Sequence, residues 1–167
     1  PGGPTCSSSA GRSPGPPIRR LPTGRLFEPY KTRGGIDVDW NVEEAIRRTG
    51  VLLEGHFLLS SGRHSGQYMQ CARLLQYPRE AEQAGRALAG LFREERVEAV
   101  IGPALGGVII AHETARSLGV RSLFAERKDG AMRLRRGFAI EPGERVLVAE
   151  DVVTTGGSVR EVIRLVE

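Results

Sequence analysis

"VEAVIGPALGGVIIAHETARSLGVRSLFAE", Val97 to Glu126, decides the fold class of this chain. Val97 to Gly102 is an apolar run of strand length, and it reads as a buried strand. Gly107 to Leu118 carries apolar residues at helical spacing and stops at Gly119, a residue suited to ending a helix. Val120 to Glu126 then reads as a second strand. Strand, helix and strand in succession make a βαβ unit and imply a parallel sheet. "RVLVAE", Arg145 to Glu150, adds a third strand, and a helix follows from about Gly157. The predicted class is therefore α/β with a parallel-sheet, Rossmann-like core.

Upstream, Val38, Val42, Ala45, Ile46 and Thr49 recur at helical spacing, with Asp39 placed to cap the start and Gly50 to end the last turn. "GHFLLSSGRHSGQYMQCA", Gly55 to Ala72, has two apolar runs around Ser60 to Gly66 and predicts a hairpin. After Pro78, a helix of about four turns is expected from Arg79 to Arg96, with Ala81, Ala84, Leu88, Leu91 and Phe92 on one face. The stretch from Arg127 to Glu144 is polar and arginine-rich and reads as an insertion. No internal repeat is visible. A doubly wound sheet normally needs further strands to cover its edge, so missing C-terminal strands are expected.

The chain has 167 residues, of which 40% are hydrophobic, enough for one sizeable core. A net charge of +4 suggests a nucleic-acid partner until its location is considered. Residues 1–35 hold six basic groups against one acid, leaving 18 basic and 19 acidic groups in the remainder. The body is nearly neutral, so any cationic site must be local, and no nucleic-acid partner is expected. "PGGPTCSSSAGRSPGPP" has 13 Pro, Gly or Ser among 17 residues, too little apolar surface to offset ordering entropy. Residues 1–35 are expected to be a disordered or non-native extension, and 36–167 the folded domain. An organellar presequence is the alternative, but these prolines oppose the amphipathic helix it needs. Cys6 and Cys71 lack metal-type spacing and read as free thiols. No apolar run approaches the roughly 20 residues that span a bilayer, and no membrane partner is expected. A cytoplasmic location is the expectation.

In a sheet of this type ligands sit beyond the carboxyl ends of the strands. Three loops emerge there: "GPALGG" (Gly102 to Gly107), "ERKDG" (Glu126 to Gly130) and "EDVVTTGGS" (Glu150 to Ser158). In the third, glycines and small hydroxyl residues let backbone N–H groups converge on an anion at a helix N-terminus. It is neither a Walker loop nor the dinucleotide motif. Carboxylates accept hydrogen bonds from hydroxyls, so Glu150 and Asp151 suit a diol while Thr154 to Ser158 suit a phosphate. Together they describe a sugar phosphate. The plainer reading is a strand end with an acidic cap and a flexible turn; two companion loops on the same sheet edge favour the ligand.

These motifs, in this order, resemble the type I phosphoribosyltransferases, and the hairpin and the "ERKDG...LRRGF" loop resemble orotate phosphoribosyltransferase over about Gly50 to Glu167. The resemblance implies a small N-terminal helix-hairpin hood on the core. It implies a glycosyltransferase (pentosyltransferase) that moves ribose 5-phosphate from phosphoribosyl pyrophosphate (PRPP) to orotate in de novo pyrimidine (UMP) biosynthesis. Glu150 and Asp151 would hold the ribose hydroxyls. Thr154, Thr155, Gly156, Gly157 and Ser158 would hold the 5-phosphate, with Thr154 also near orotate, and Val152 and Val153 would belong to the PRPP-binding loop. Ala104, Leu105, Gly106 and Gly107 would form the pyrophosphate loop, which in the family has a cis peptide. Arg127 and Lys128 would bind pyrophosphate, Arg127 reaching the neighbouring subunit's site in a homodimer. Residues Asp129 to Gly137 would be a mobile catalytic loop with Arg133, Arg135 and Arg136; the plainer reading of these arginines is a solvated hairpin face. Mg²⁺ would bridge substrate oxygens through waters, with few protein ligands.

Some positions depart from the family pattern. Ser60 and Ala131 stand where lysines are common, Gly106 where one branch has lysine, and Arg133 where the loop has a histidine. Ser61, Gly62 and Arg63 lie where the hairpin packs near the base. His56, His64 and His112 receive no role. Two alternatives use the same PRPP loop: a purine-type phosphoribosyltransferase, which the orotate-like hairpin opposes, and a PRPP-sensing regulator that binds nucleic acid, which the near-neutral body opposes.

Overall fold

The computed structural model describes residues 40–59 and 62–167. The expectations for residues 1–35, for capping by Asp39 and for Ser60 and Ser61 lie outside them. A four-stranded sheet runs in the order Ala131–Leu134 (β5), Arg121–Lys128 (β4), Ala99–Pro103 (β3) and Val146–Val148 (β6). Its centre is β3 (Ala99–Pro103), buried at every position and paired in parallel with β4 (Arg121–Lys128) and β6 (Val146–Val148). Successive β3 side chains face opposite sides of the sheet. Val100 packs with Ala111 and Ala115 of α4 (Gly107–Leu118), and Ile101 with Leu123 and with Val162 of α5 (Gly157–Val166). Helices thus cover both faces, which is why β3 is apolar throughout. Gly119, at φ 73°, ends α4 as expected.

The N-terminal hood consists of α1 (Val42–Thr49), the antiparallel hairpin of β1 (Leu52–Leu58) and β2 (His64–Met69), and α2 (Ala72–Leu75). The helix starts later than its spacing predicts because Asn41 caps it, accepting a hydrogen bond from the Glu44 N–H at 3.1 Å. Gly50 closes it at φ 65°. Glu80, nearly buried, fastens α1 to α3 (Pro78–Gly90): it accepts from Trp40 Nε1 at 2.9 Å and Arg48 Nη2 at 2.6 Å.

Helix α3 is shorter than expected. Beyond Gly90 the bonds from Leu91 to Leu88, Phe92 to Ala89 and Glu95 to Phe92 span three residues, giving turns that reverse the chain at Arg96, φ 49°. Leu91, assigned to the buried face, is 74% exposed. The buried residues of α3 instead include Gly85, where a Cβ would lie 2.5 Å from that of Glu113, so α3 and α4 pack backbone to backbone.

Part of the arginine-rich insertion is a strand. Residues Ala131–Leu134 form β5, antiparallel to β4, with Lys128 opposite Ala131. Asp129 and Gly130, both at positive φ (51° and 80°), make the two-residue turn that such hairpins favour. Met132 is buried against the sheet with Leu134, Phe138 and Ile140, so every second residue of β5 anchors it. Among the described residues no helix is long and apolar enough to cross a membrane.

Candidate functional site

The chain leaves β6 through Ala149, whose N–H donates to Ile101 O at 2.9 Å, and turns outward at Glu150 and Asp151. This puts both acids at the carboxyl edge of the sheet. Burial first, then the adjacent Asp151 carboxylate, pushes Glu150 from its ordinary 4.5 up to about 7. Such a pair gains from hydroxyl donors or a cation. Asp151 Oδ1 accepts from the Val152 N–H at 3.0 Å, which orients it.

Residues 104–107 close on the same point. The Ala104–Leu105 peptide is cis, as the resemblance implies, and Ala104 N donates to Ala125 O at 2.7 Å. At Gly106 a Cβ would stand 2.5 Å from Asp151 Oδ1, and at Gly107 it would stand 3.0 Å from Ala149 O. Gly106 has ordinary helical angles, φ −55° and ψ −49°. Glycine is therefore required there by space, not by conformation.

Past the acids, Val152 to Ser158 surround a concavity of about 210 Å³, together with Glu150 and Glu161. Gly156, the residue preceding α5, sits at φ 73°, a left-handed conformation that suits glycine and turns the chain into the helix. The first-turn N–H groups of a helix have no intrahelical acceptor, and Gly157, Ser158 and Val159 of this first turn line the concavity. Arg160 braces the loop, donating from Nη2 to Thr155 O at 2.6 Å.

Arg127 and Lys128 lie at the end of β4, next to the β4–β5 turn. Arg127 grips Glu161 with Nη1 to Oε2 at 2.9 Å and Nη2 to Oε1 at 3.0 Å, and Nη1 also donates to Gly130 O at 2.7 Å. Arg136 pairs with Glu126 through two bonds of 2.9 Å, and Arg135 approaches the same acid at 3.8 Å. Arg133 stands opposite Glu126 in register. Lys128 and Arg133 do not line the concavity.

Two features escaped the sequence reading. Glu161 faces the anion site from α5; being four residues beyond Gly157 was its only signal, and its partner is 34 residues away. A second cavity of about 400 Å³, with apolar walls including Trp40, Ile46, Met69 and Leu88, ends on Glu150, Asp151 and Cys71. Burial, then the Asp151 charge, raises the Cys71 thiol pKa. Cys71 is a free thiol, as expected.

A family model described as a phosphoribosyl transferase domain matches residues 70–167. The orotate phosphoribosyltransferase of Caldicellulosiruptor saccharolyticus is 59% identical over 124 residues, covering 74% of this chain and 65% of that protein. That of Thermotoga maritima is 56% identical over 126 residues, 75% of this chain and 67% of its own length. The chain thus spans about two thirds of these curated relatives. The crystal structure of orotate phosphoribosyltransferase from Aeropyrum pernix superposes with a TM-score of 0.61 at 30% identity, over 75% of this chain and 73% of that one. With acids, glycine loop and anion concavity meeting at one sheet edge, and with these relatives, the chain belongs to the phosphoribosyltransferase family, on its orotate phosphoribosyltransferase branch.

Proposed function

We propose that the chain transfers ribose 5-phosphate from PRPP to a ring nitrogen of orotate, giving orotidine 5-phosphate and pyrophosphate for UMP synthesis. The observation that carries this reading is Glu150 lining the concavity of Val152 to Ser158, with Asp151 next in the chain and abutted by Gly106. A ribose 5-phosphate has this layout, a diol at one end and a phosphate at the other. The raised Glu150 and the apolar cavity behind the acids supply the water-poor side of the site.

The reaction breaks the bond from the anomeric carbon to pyrophosphate and forms one to nitrogen, with oxocarbenium character in between. The protein's task is to hold the ribose, take up charge on the departing pyrophosphate and exclude water. Asp151 and Glu150 accept from the ribose hydroxyls; the N–H groups around Thr154 to Ser158 hold the 5-phosphate, Thr154 also lying near orotate. Residues 104–107 offer backbone to the pyrophosphate, and Arg127, Lys128 and Arg133 are its candidate cations. Mg²⁺ fits the same edge, since a divalent ion relieves the repulsion between Glu150 and Asp151; when bound it would neutralise pyrophosphate and ribose oxygens. A homodimer with shared active sites belongs to this reading.

Orotate consumption with PRPP and Mg²⁺ tests it. Asp151→Asn should lower kcat/KM by about tenfold or more, since hydrogen bonds to charged groups contribute about 1.5–3 kcal/mol. An unchanged rate would remove the acids from the site. Consumption of adenine, hypoxanthine or xanthine in place of orotate would move the chain to the purine branch.

A further inference from the structure

The anion concavity contains a group that a phosphate does not want. Glu161 lies on α5 and lines the same space as Thr154 to Ser158. A bare carboxylate there would repel a bound phosphate across a few ångströms. Arg127 occupies both of its oxygens, at 2.9 and 3.0 Å, in the forked geometry that guanidinium and carboxylate favour. Because Nη1 also holds Gly130 O at 2.7 Å, one side chain joins the end of β4, the β4–β5 turn and the first half of α5. Arg127, and more weakly Arg164 along the helix, hold the Glu161 carboxyl below its ordinary range. A glutamate is ionised near neutrality with or without this partner, so without Arg127 its charge would face the concavity uncompensated.

We propose that Arg127 is the counter-ion of Glu161 within its own chain, a positioning residue that keeps the 5-phosphate cradle open to an anion. The resemblance implies a different task, binding pyrophosphate in the neighbouring site. The two tasks separate on a ligand that has no pyrophosphate. Acting through Glu161, Arg127 matters for ribose 5-phosphate; acting on pyrophosphate alone, it does not. This inference rests on reading the concavity as the 5-phosphate site.

The test is calorimetric binding of ribose 5-phosphate to the wild type, Arg127→Ala, Glu161→Gln and the double variant. Arg127→Ala should weaken binding about three- to tenfold, the size expected for one uncompensated charge near a solvated anion. Glu161→Gln should change it less than about twofold, and the double variant should return close to wild type. Arg127→Lys, which keeps the charge, should stay near wild type, and Arg127→Gln should resemble alanine. The loss should shrink with added salt, which a merely structural defect would not do. Unchanged binding in Arg127→Ala, or a double variant as weak as Arg127→Ala, would overturn the inference while leaving the cradle in place. A wild type that binds no ribose 5-phosphate would overturn the cradle reading and this inference with it.

Discussion

The anion cradle and the β4–β5 hairpin face the same sheet edge but handle charge in opposite ways. In the cradle and the adjoining loop 104–107, positive potential comes from backbone N–H groups whose direction is set by the chain path, at Gly156 by a left-handed turn and at Gly106 by close approach to Asp151. Backbone donors cannot swing to another partner. In the hairpin, positive charge comes from arginines, three of which are engaged by carboxylates of the same chain: Arg127 by Glu161, and Arg135 and Arg136 by Glu126. The charge of these three arginines is thus available to a ligand only in competition with those acids. One region is preorganised, and the other must exchange partners.

The sharpest way to break this contrast is Gly106→Val. A Cβ there meets Asp151 Oδ1 at 2.5 Å, so either the loop or the acid must move. Displacement of about 1 Å in a reacting geometry can cost about 100-fold, and a fall of that order in kcat/KM for PRPP is expected. Near-normal kinetics would show that the loop is plastic and the contrast false.

A smaller effect tests the acid side of the cradle through stability. Glu150 is raised from 4.5 to about 7, first by burial and then by Asp151. Between those values the unfolded chain has released a proton that the folded chain keeps, so stability falls as pH rises through this window. Glu150→Gln removes that loss. Urea unfolding should find the variant more stable than wild type at pH 8, by about 1 kcal/mol once solvent screening of a half-buried group is allowed for. The two should converge below pH 4.5. A difference independent of pH would mean that Glu150 ionises normally.

The smallest effect belongs to the hairpin. Glu126→Gln should leave thermal unfolding nearly unchanged, because its arginine partners are exposed, yet speed amide exchange from Ala131 to Gly137 by loosening Arg135 and Arg136. Equal exchange would show that the Asp129-Gly130 turn and Met132 alone hold the hairpin.

The same difference explains what could be read in advance. Runs of local character were legible: the strands at Val97 and Val120, the helix between them ending at Gly119, and the loops at Gly102 and Glu150 all lie where periodicity and glycines put them. The Asp129-Gly130 pair is an equally local hairpin signal, and it agrees with the plainer reading of the arginines around it as a solvated hairpin face. Alternation of Met132 and Leu134 with Ala131 and Arg133 makes this segment a strand. Helix α3 was drawn too long because Leu91 and Phe92 continue the apolar spacing. Whether the face past Gly90 meets a partner depends on α4, which no pattern within α3 reveals.

By itself, then, the sequence determined the βαβ order and the place of the acids before the glycine-rich turn, on which the proposed site for a phosphorylated diol rests, because each follows from neighbours a few residues apart. Only the tertiary structure decided that Gly106 abuts Asp151, that Glu161 enters the anion concavity and that Arg127 is bound to it. Those facts depend on how separate strands and helices are brought to one edge, and contacts between residues 34 or more positions apart leave no local trace in composition or spacing.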